Sequence, residues 1–141
     1  MTRKELYEKQ YKELNSYYLL EVAIKDCDDR LKEIETGMYR SPRLDGVVST
    51  PSHRNRIEDA YIDNIEKYGK IRAQRAEYRR QKARVELYID SIDDLLTRMI
   101  FEKRFYDRKD WGTIADELGG RNTFDSVRFM CSRYIKKHID E

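Results

Sequence analysis

The sequence predicts an all-α fold: a long helical hairpin or coiled coil followed by a compact helix-turn-helix domain. Three observations carry this. Apolar residues recur at threes and fours along nearly the whole chain of 141 residues, the period of a helix with one buried face. Only two prolines interrupt it, and the charged fraction of 40% matches the hydrophobic fraction of 39%, a balance that suits long exposed helices better than a thick core. Finally, residues 110–137 read as two short helices about a Gly119-Gly120 turn. The expected division is residues 1–85 as the helical coiled-coil region, with a loop at 39–55, and residues 86–141 as the helix-turn-helix domain.

From Thr2 to about Glu35 no glycine or proline occurs, and one continuous helix is expected. Leu6, Leu14, Tyr17, Leu20, Ile24, Leu31, Ile34 and Met38 form its stripe, with Gly37 as its stop. The tyrosines of this stretch are read as helix-packing residues. Residues 39–55, holding Ser41-Pro42, Asp45-Gly46 and Thr50-Pro51, have the punctuation of a loop. It is expected to be disordered rather than an arm that orders on DNA.

Helical periodicity resumes at Arg56 and hardly stops before Phe105. Ile57, Tyr61, Asn64, Tyr68, Ile71, Arg75, Tyr78, Lys82, Val85, Ile89, Ile92, Leu96 and Met99 alternate at fours and threes, which implies a coiled-coil seam. Asn64, Arg75 and Lys82 weaken that seam while fixing its register. The simplest arrangement folds the first helix back on the second within one chain. A seam between chains, giving a homo-oligomer, competes with it.

Charge is segregated although the net is only +2. Residues 67–84 hold eight cations against Glu77 alone, and residues 121–137 hold five against Asp125. The first run is read slightly in favour of a solvated face whose aliphatic stems shield the seam, against a phosphate-tracking surface. Cys27 and Cys131 lie far apart, without CxxC spacing, and His53 and His138 do not complete a ligand set. Neither a metal site nor another cofactor is expected. Two thiols without an evident leader segment point to a reducing cytoplasm. No run of about 18 apolar residues exists to suggest a membrane span. An enzyme is disfavoured, because there is no Gly-rich phosphate loop, nucleophile elbow or metal cluster.

In the C-terminal part, Trp111, Ile114, Ala115 and Leu118 mark the buried face of the first short helix. Gly119-Gly120 supplies the left-handed backbone that ends it. Asn122 or Thr123 caps the second helix, with Asp125 in its first turn against the positive end of the dipole. Val127, Met130 or Cys131, Tyr134 and Ile135 are its inner face, and Arg128, Phe129, Ser132, Arg133 and Lys136 its outer one. A second helix held out in this way suits a DNA major groove. Phe124, Asp125, Arg128, Phe129 and Ser132 are the candidate base contacts, Arg128 being best suited to grip guanine O6 and N7 together. Arg121, Asn122, Thr123, Arg133, Lys136 and Lys137 are the candidate phosphate contacts.

Residues 88–137 resemble region 4 of bacterial sigma factors. TIADELG is similar to the family's IA-x-x-L-G segment, and TFDSVRFMCSRYIKK to its T-x-x-x-V-x-x-x-x-x-R-x-x-x-K recognition helix. In layout the whole chain resembles small late-gene activators of the RinA/ArpU type from temperate phages and prophages of low-GC Gram-positive bacteria. The resemblance implies binding of double-stranded DNA and control of transcription, with RNA polymerase as a partner. It departs from the family at Phe124 and Asp125, where members often carry more polar or basic residues. Two alternatives keep the same residues: a small DNA-packaging recognition subunit of terminase type, and a sigma-like module that docks on polymerase without touching DNA.

Overall fold

The computed structural model describes residues 1–39 and 51–139, of which 38, 39, 51–55 and 57 are described by backbone alone. The chain is all-α. Its described elements are α1 (Arg3–Asn15), α2 (Tyr17–Tyr39), α3 (Pro51–Asp90), α4 (Leu95–Phe101), a π-helical turn (Glu102–Tyr106), α5 (Trp111–Leu118) and α6 (Phe124–Lys137). They divide into two compact units, Met1–Glu21 with the chain from Gln81 onward, and Val22–Arg80.

The second unit is an antiparallel helical hairpin. Cys27 is buried on its seam, and Ile24, Leu31, Ile34, Asn64, Tyr68, Ile71, Arg75 and Tyr78 are half-buried there. Polar pairs set the register. The Tyr68 hydroxyl donates to Glu35 at 2.7 Å, and one heptad along, Arg75 Nε donates to Asp28. Arg75, a liability for a generic seam, thus becomes a pin between the two helices of one chain. Tyr61, expected on the seam, is 53% exposed.

The other unit holds the larger core. Leu14 and Tyr17 from the N-terminal segment, Val85 and Ile89 from α3, Ile100 and Phe101 from α4, Phe105, Trp111, Ile114 and Ala115, and Val127, Cys131 and Ile135 from α6 are all buried in one cluster. The N-terminal helix therefore belongs in one unit with α5 and α6, whereas the sequence placed the boundary near residue 85. The apolar stripe through Leu14 and Tyr17 showed that a face is buried but not against what.

Four other expectations are corrected. The first helix is not continuous. It breaks at Ser16, whose Oγ donates to the Glu13 carbonyl at 2.6 Å and competes with the helical ladder. Gly37 does not end α2, which continues to Tyr39, and the chain is already helical at Pro51, before Arg56. What lies between, residues 40–50 of the expected loop, is outside the described residues. The long seam also stops at Asp90, not near Phe105. Asp94 accepts from the Thr97 amide at 3.1 Å and from its hydroxyl at 2.7 Å, so it caps a new helix, and Ile92 turns into the core.

Candidate nucleic-acid interface

The turn between α5 and α6 is built by its residue types. Asp110 caps α5 by accepting from the Thr113 amide at 2.7 Å. Gly119 ends it with φ +66° and ψ −160°, and Gly120 follows at φ +64°. Asn122 Nδ2 donates to the Gly119 carbonyl at 2.8 Å, which ties the turn shut. Thr123 then caps α6: its Oγ1 accepts from the Ser126 amide at 3.1 Å, and Ser126 Oγ accepts from the Thr123 amide at 2.8 Å. Of the two capping candidates, Thr123 caps and Asn122 braces.

A basic linker leads into the motif and is held by aromatic and acidic partners. Glu117 accepts from Lys103 at 2.8 Å and from Lys109 at 2.6 Å. Arg104 lies over the buried Trp111 ring at 4.4 Å, and Arg108, at φ +57°, stacks on Tyr18 at 3.6 Å. These contacts were not legible in the sequence, because they join segments that only the fold brings together.

The inner face of α6 is Val127, Cys131 and Ile135, all buried, with Met130 and Tyr134 half-buried beside them. Burial pushes the Cys131 thiol up to about 12. Around the rest of α6, Phe124, Asp125, Arg128, Phe129, Arg133, Lys136 and Lys137 are exposed, as are Arg121 and Thr123 in the turn. Phe129 is 63% exposed and is not a core residue, and Phe124 is 47% exposed. Two large apolar rings held open to solvent flank Arg128.

Ser132 departs from that group. It is half-buried, and the Tyr7 hydroxyl of α1 donates to its Oγ at 3.2 Å. A turn further on, Arg3 Nη2 donates to the Lys136 carbonyl at 3.1 Å, and the Lys136 ammonium stands 5.5 Å from the Tyr7 ring centre. So α1 lies along the C-terminal flank of α6, and the N-terminal half of α6 keeps its outer face clear. The structure brings Phe124, Asp125, Arg128 and Phe129 together and turns Ser132 toward α1.

The basic run 67–84 divides differently. Lys67 pairs with Asp63, Arg75 with Asp28, Arg80 with Glu77, Lys82 with Glu21 and Glu86, and Arg84 with Glu13. More than half of its cations thus stand beside a carboxylate. Among the described residues no group of three or more His, Cys, Asp or Glu is placed to hold a metal ion, and no helix is long and apolar enough to cross a membrane. No protein-family model matches the chain, and no curated protein or solved structure shows significant similarity to it.

Proposed function

We propose that the chain is a sequence-specific DNA-binding transcription regulator that reads a duplex with the N-terminal half of α6. The observation that carries this is the exposed group Phe124, Asp125, Arg128 and Phe129 on a helix whose opposite face is anchored in the core. Helix-turn-helix proteins use the first turns of the second helix to touch base edges. Arg128 offers two parallel N–H donors for guanine, Phe124 and Phe129 offer apolar contact to a thymine methyl, and Asp125 can accept from cytosine. Arg121, Thr123, Arg133, Lys136 and Lys137 surround them as phosphate contacts that set orientation without reading sequence. Asn122 supports the turn, and Ser132 drops out of the base-reading set. The sigma region 4 resemblance, and the likeness in layout to late-gene activators of the RinA/ArpU type, point the same way and add RNA polymerase as a partner.

The test is a pair of substitutions. Arg128→Ala is expected to reduce the preference for a specific over a random duplex by about 1–3 kcal/mol. Lys136→Ala is expected to weaken both alike and to make the salt dependence shallower by about one unit. Equal losses on both duplexes for both variants would refute these roles.

Phe124 and Phe129 also favour a second reading, a docking module for a protein such as RNA polymerase, since exposed aromatics anchor protein interfaces. On that reading the chain has no affinity for duplex and Arg128→Ala leaves none to lose. A packaging subunit of terminase type instead requires a ring, so a monomer or dimer in solution argues against it.

A further inference from the structure

Between α4 and α5 the chain carries four cations, Lys103, Arg104, Arg108 and Lys109, and the fold treats them as two pairs. Lys103 and Lys109 share Glu117. Arg104 and Arg108 enter no ion pair among the described residues. Each is held by a ring instead, Arg104 at 4.4 Å from the centre of Trp111 and Arg108 at 3.6 Å from that of Tyr18. Arg104 Nη1 also donates to the Lys109 carbonyl at 3.1 Å, which uses one of its N–H groups and fixes the side chain. Both arginines line one small pocket of about 240 Å³, completed by Asn15 at the end of α1 and by the buried ring of Phe105. None of the four lining residues is acidic. Asp110 senses the Arg104 charge, yet its carboxylate accepts from the Thr113 amide as the cap of α5. Arg108 stands at φ +57°, a left-handed backbone that suits glycine or asparagine and disfavours a long side chain. Strain of this kind gathers where a particular side chain is needed. The π-helical turn that carries Arg104 and Phe105 is a second departure from regular backbone, of a type that recurs at functional sites.

We propose that Arg104 and Arg108 hold a phosphate group in this pocket. A guanidinium presents its N–H groups as a planar fork that matches phosphate oxygens. Two forks lining one pocket suit a tetrahedral oxyanion with several oxygens better than a carboxylate with two. Stacking on Trp111 and Tyr18 orients both guanidinium planes before the ligand arrives, so less freedom is lost on binding. Asn15 adds an amide donor, and an occupant bridges the end of α1 to the linker that leads into α5. The phosphate belongs either to a nucleic-acid strand or to a free phosphorylated ligand. The recognition chemistry is the same for both, and the experiment separates them. None of the residues assigned to base or phosphate contact around α6 is used, so this site and that reading fail independently.

The experiment has two arms, both on the full chain. In the first, pyrophosphate is titrated at low salt by isothermal calorimetry, with acetate at matched ionic strength for comparison. The parent is expected to bind pyrophosphate saturably and more tightly than acetate. Arg108→Asn removes the guanidinium but keeps a residue that accepts the left-handed backbone, so the fold should hold. Its pyrophosphate affinity should fall about tenfold or more, the loss expected from one hydrogen bond to a charged group. Arg104→Gln should fall alike, with near-ultraviolet circular dichroism checking that the packing around Trp111 persists. Lys25→Gln, exposed on the other unit, removes the same charge and should bind as the parent does. In the second arm a labelled random duplex is followed by fluorescence anisotropy across a salt series. A slope flattened in Arg108→Asn by about one unit, roughly 0.9 per phosphate contact, assigns the phosphate to a strand. Pyrophosphate binding lost with the slope unchanged assigns it to a free ligand. Pyrophosphate binding by a parent that binds no duplex does the same, and there the DNA-binding reading of α6 fails while this site stands. Four results overturn the proposal. If Arg108→Asn and Arg104→Gln match the parent in both arms, the arginines only brace the linker. If acetate binds as tightly as pyrophosphate, the pocket takes any anion. If Lys25→Gln loses as much, only total charge matters. If the parent binds neither pyrophosphate nor duplex, the pocket holds no phosphate.

Discussion

Gly119 takes φ +66° with ψ −160°, a region essentially reserved for glycine. A Cβ there would meet nothing within 4 Å, so only the backbone penalty is at issue. Gly119→Ala is expected to cost about 1–3 kcal/mol in urea unfolding, without changing what the folded protein binds. Cys131 provides a second residue-level check. Buried on the inner face of α6 with its thiol pushed up to about 12, it should resist alkylation at neutral pH and react only as the chain unfolds. Three exposed carboxylates contribute to the response to acid. Asp94 is held below its usual 3.8 by hydrogen bonds from Thr97, Asp110 below 3.8 by hydrogen bonds from Thr113, and Glu117 below 4.5 by hydrogen bonds from Lys103 and Lys109. Each is ionised in the fold at a pH where the unfolded chain would begin to take up a proton. Their contribution is therefore full above the unfolded values and is lost as pH falls through the lowered ones. The urea midpoint should hold between about pH 7 and 5 and fall below about pH 4, and Asp94→Asn/Asp110→Asn should soften that fall.

Among the elements, α6 was the most legible. Its inner face, its outer charges and the Gly119-Gly120 stop followed from helical spacing and from which residue can reach a left-handed backbone. Ser132 was misplaced because helical spacing assigns a face to solvent only until another element is known to cover it, and α1 covers that flank. The seam of α3 was legible from Tyr68 to Ile89 for the same reason of period. Its end was not, because Ile92, Leu96 and Met99 keep the alternation past Asp90, while the break depends on Asp94 meeting Thr97. The signal was present in D-x-x-T before an apolar run, and periodicity overrode it. The matching cap on α6 gives an element-scale prediction. Thr123→Ala removes one half of the reciprocal pair with Ser126 and should cost about 1 kcal/mol by urea unfolding, within the usual range of about 0.5–2 for a lost cap.

At the scale of the molecule, the first helix is the unexpected part of the core. Leu14 is fully buried and Tyr17 is 9% exposed in the core that carries α6. Burying one large apolar side chain stabilises by about 1.5–3 kcal/mol. Leu14, Tyr17 and the half-buried Tyr7 and Tyr11 together therefore reach a sizeable share of the 5–15 kcal/mol of a small domain. A fragment of residues 86–141, the domain boundary the sequence suggested, is expected to lose fixed packing around Phe105 and Trp111. Its near-ultraviolet circular dichroism should be weak, and adding back residues 1–85 in one chain should restore it. A fully native signal from the fragment alone would show that α1 and the end of α3 are dispensable.

The reading of α6 as a base-contacting helix is tested most directly by selecting bound duplexes from a random pool with the full chain and with Arg128→Ala. The parent is expected to enrich a short motif containing a guanine whose preference relaxes in the variant, with half-site spacing reporting any dimer. A pool that emerges from the parent with no sequence enriched over the input would contradict it.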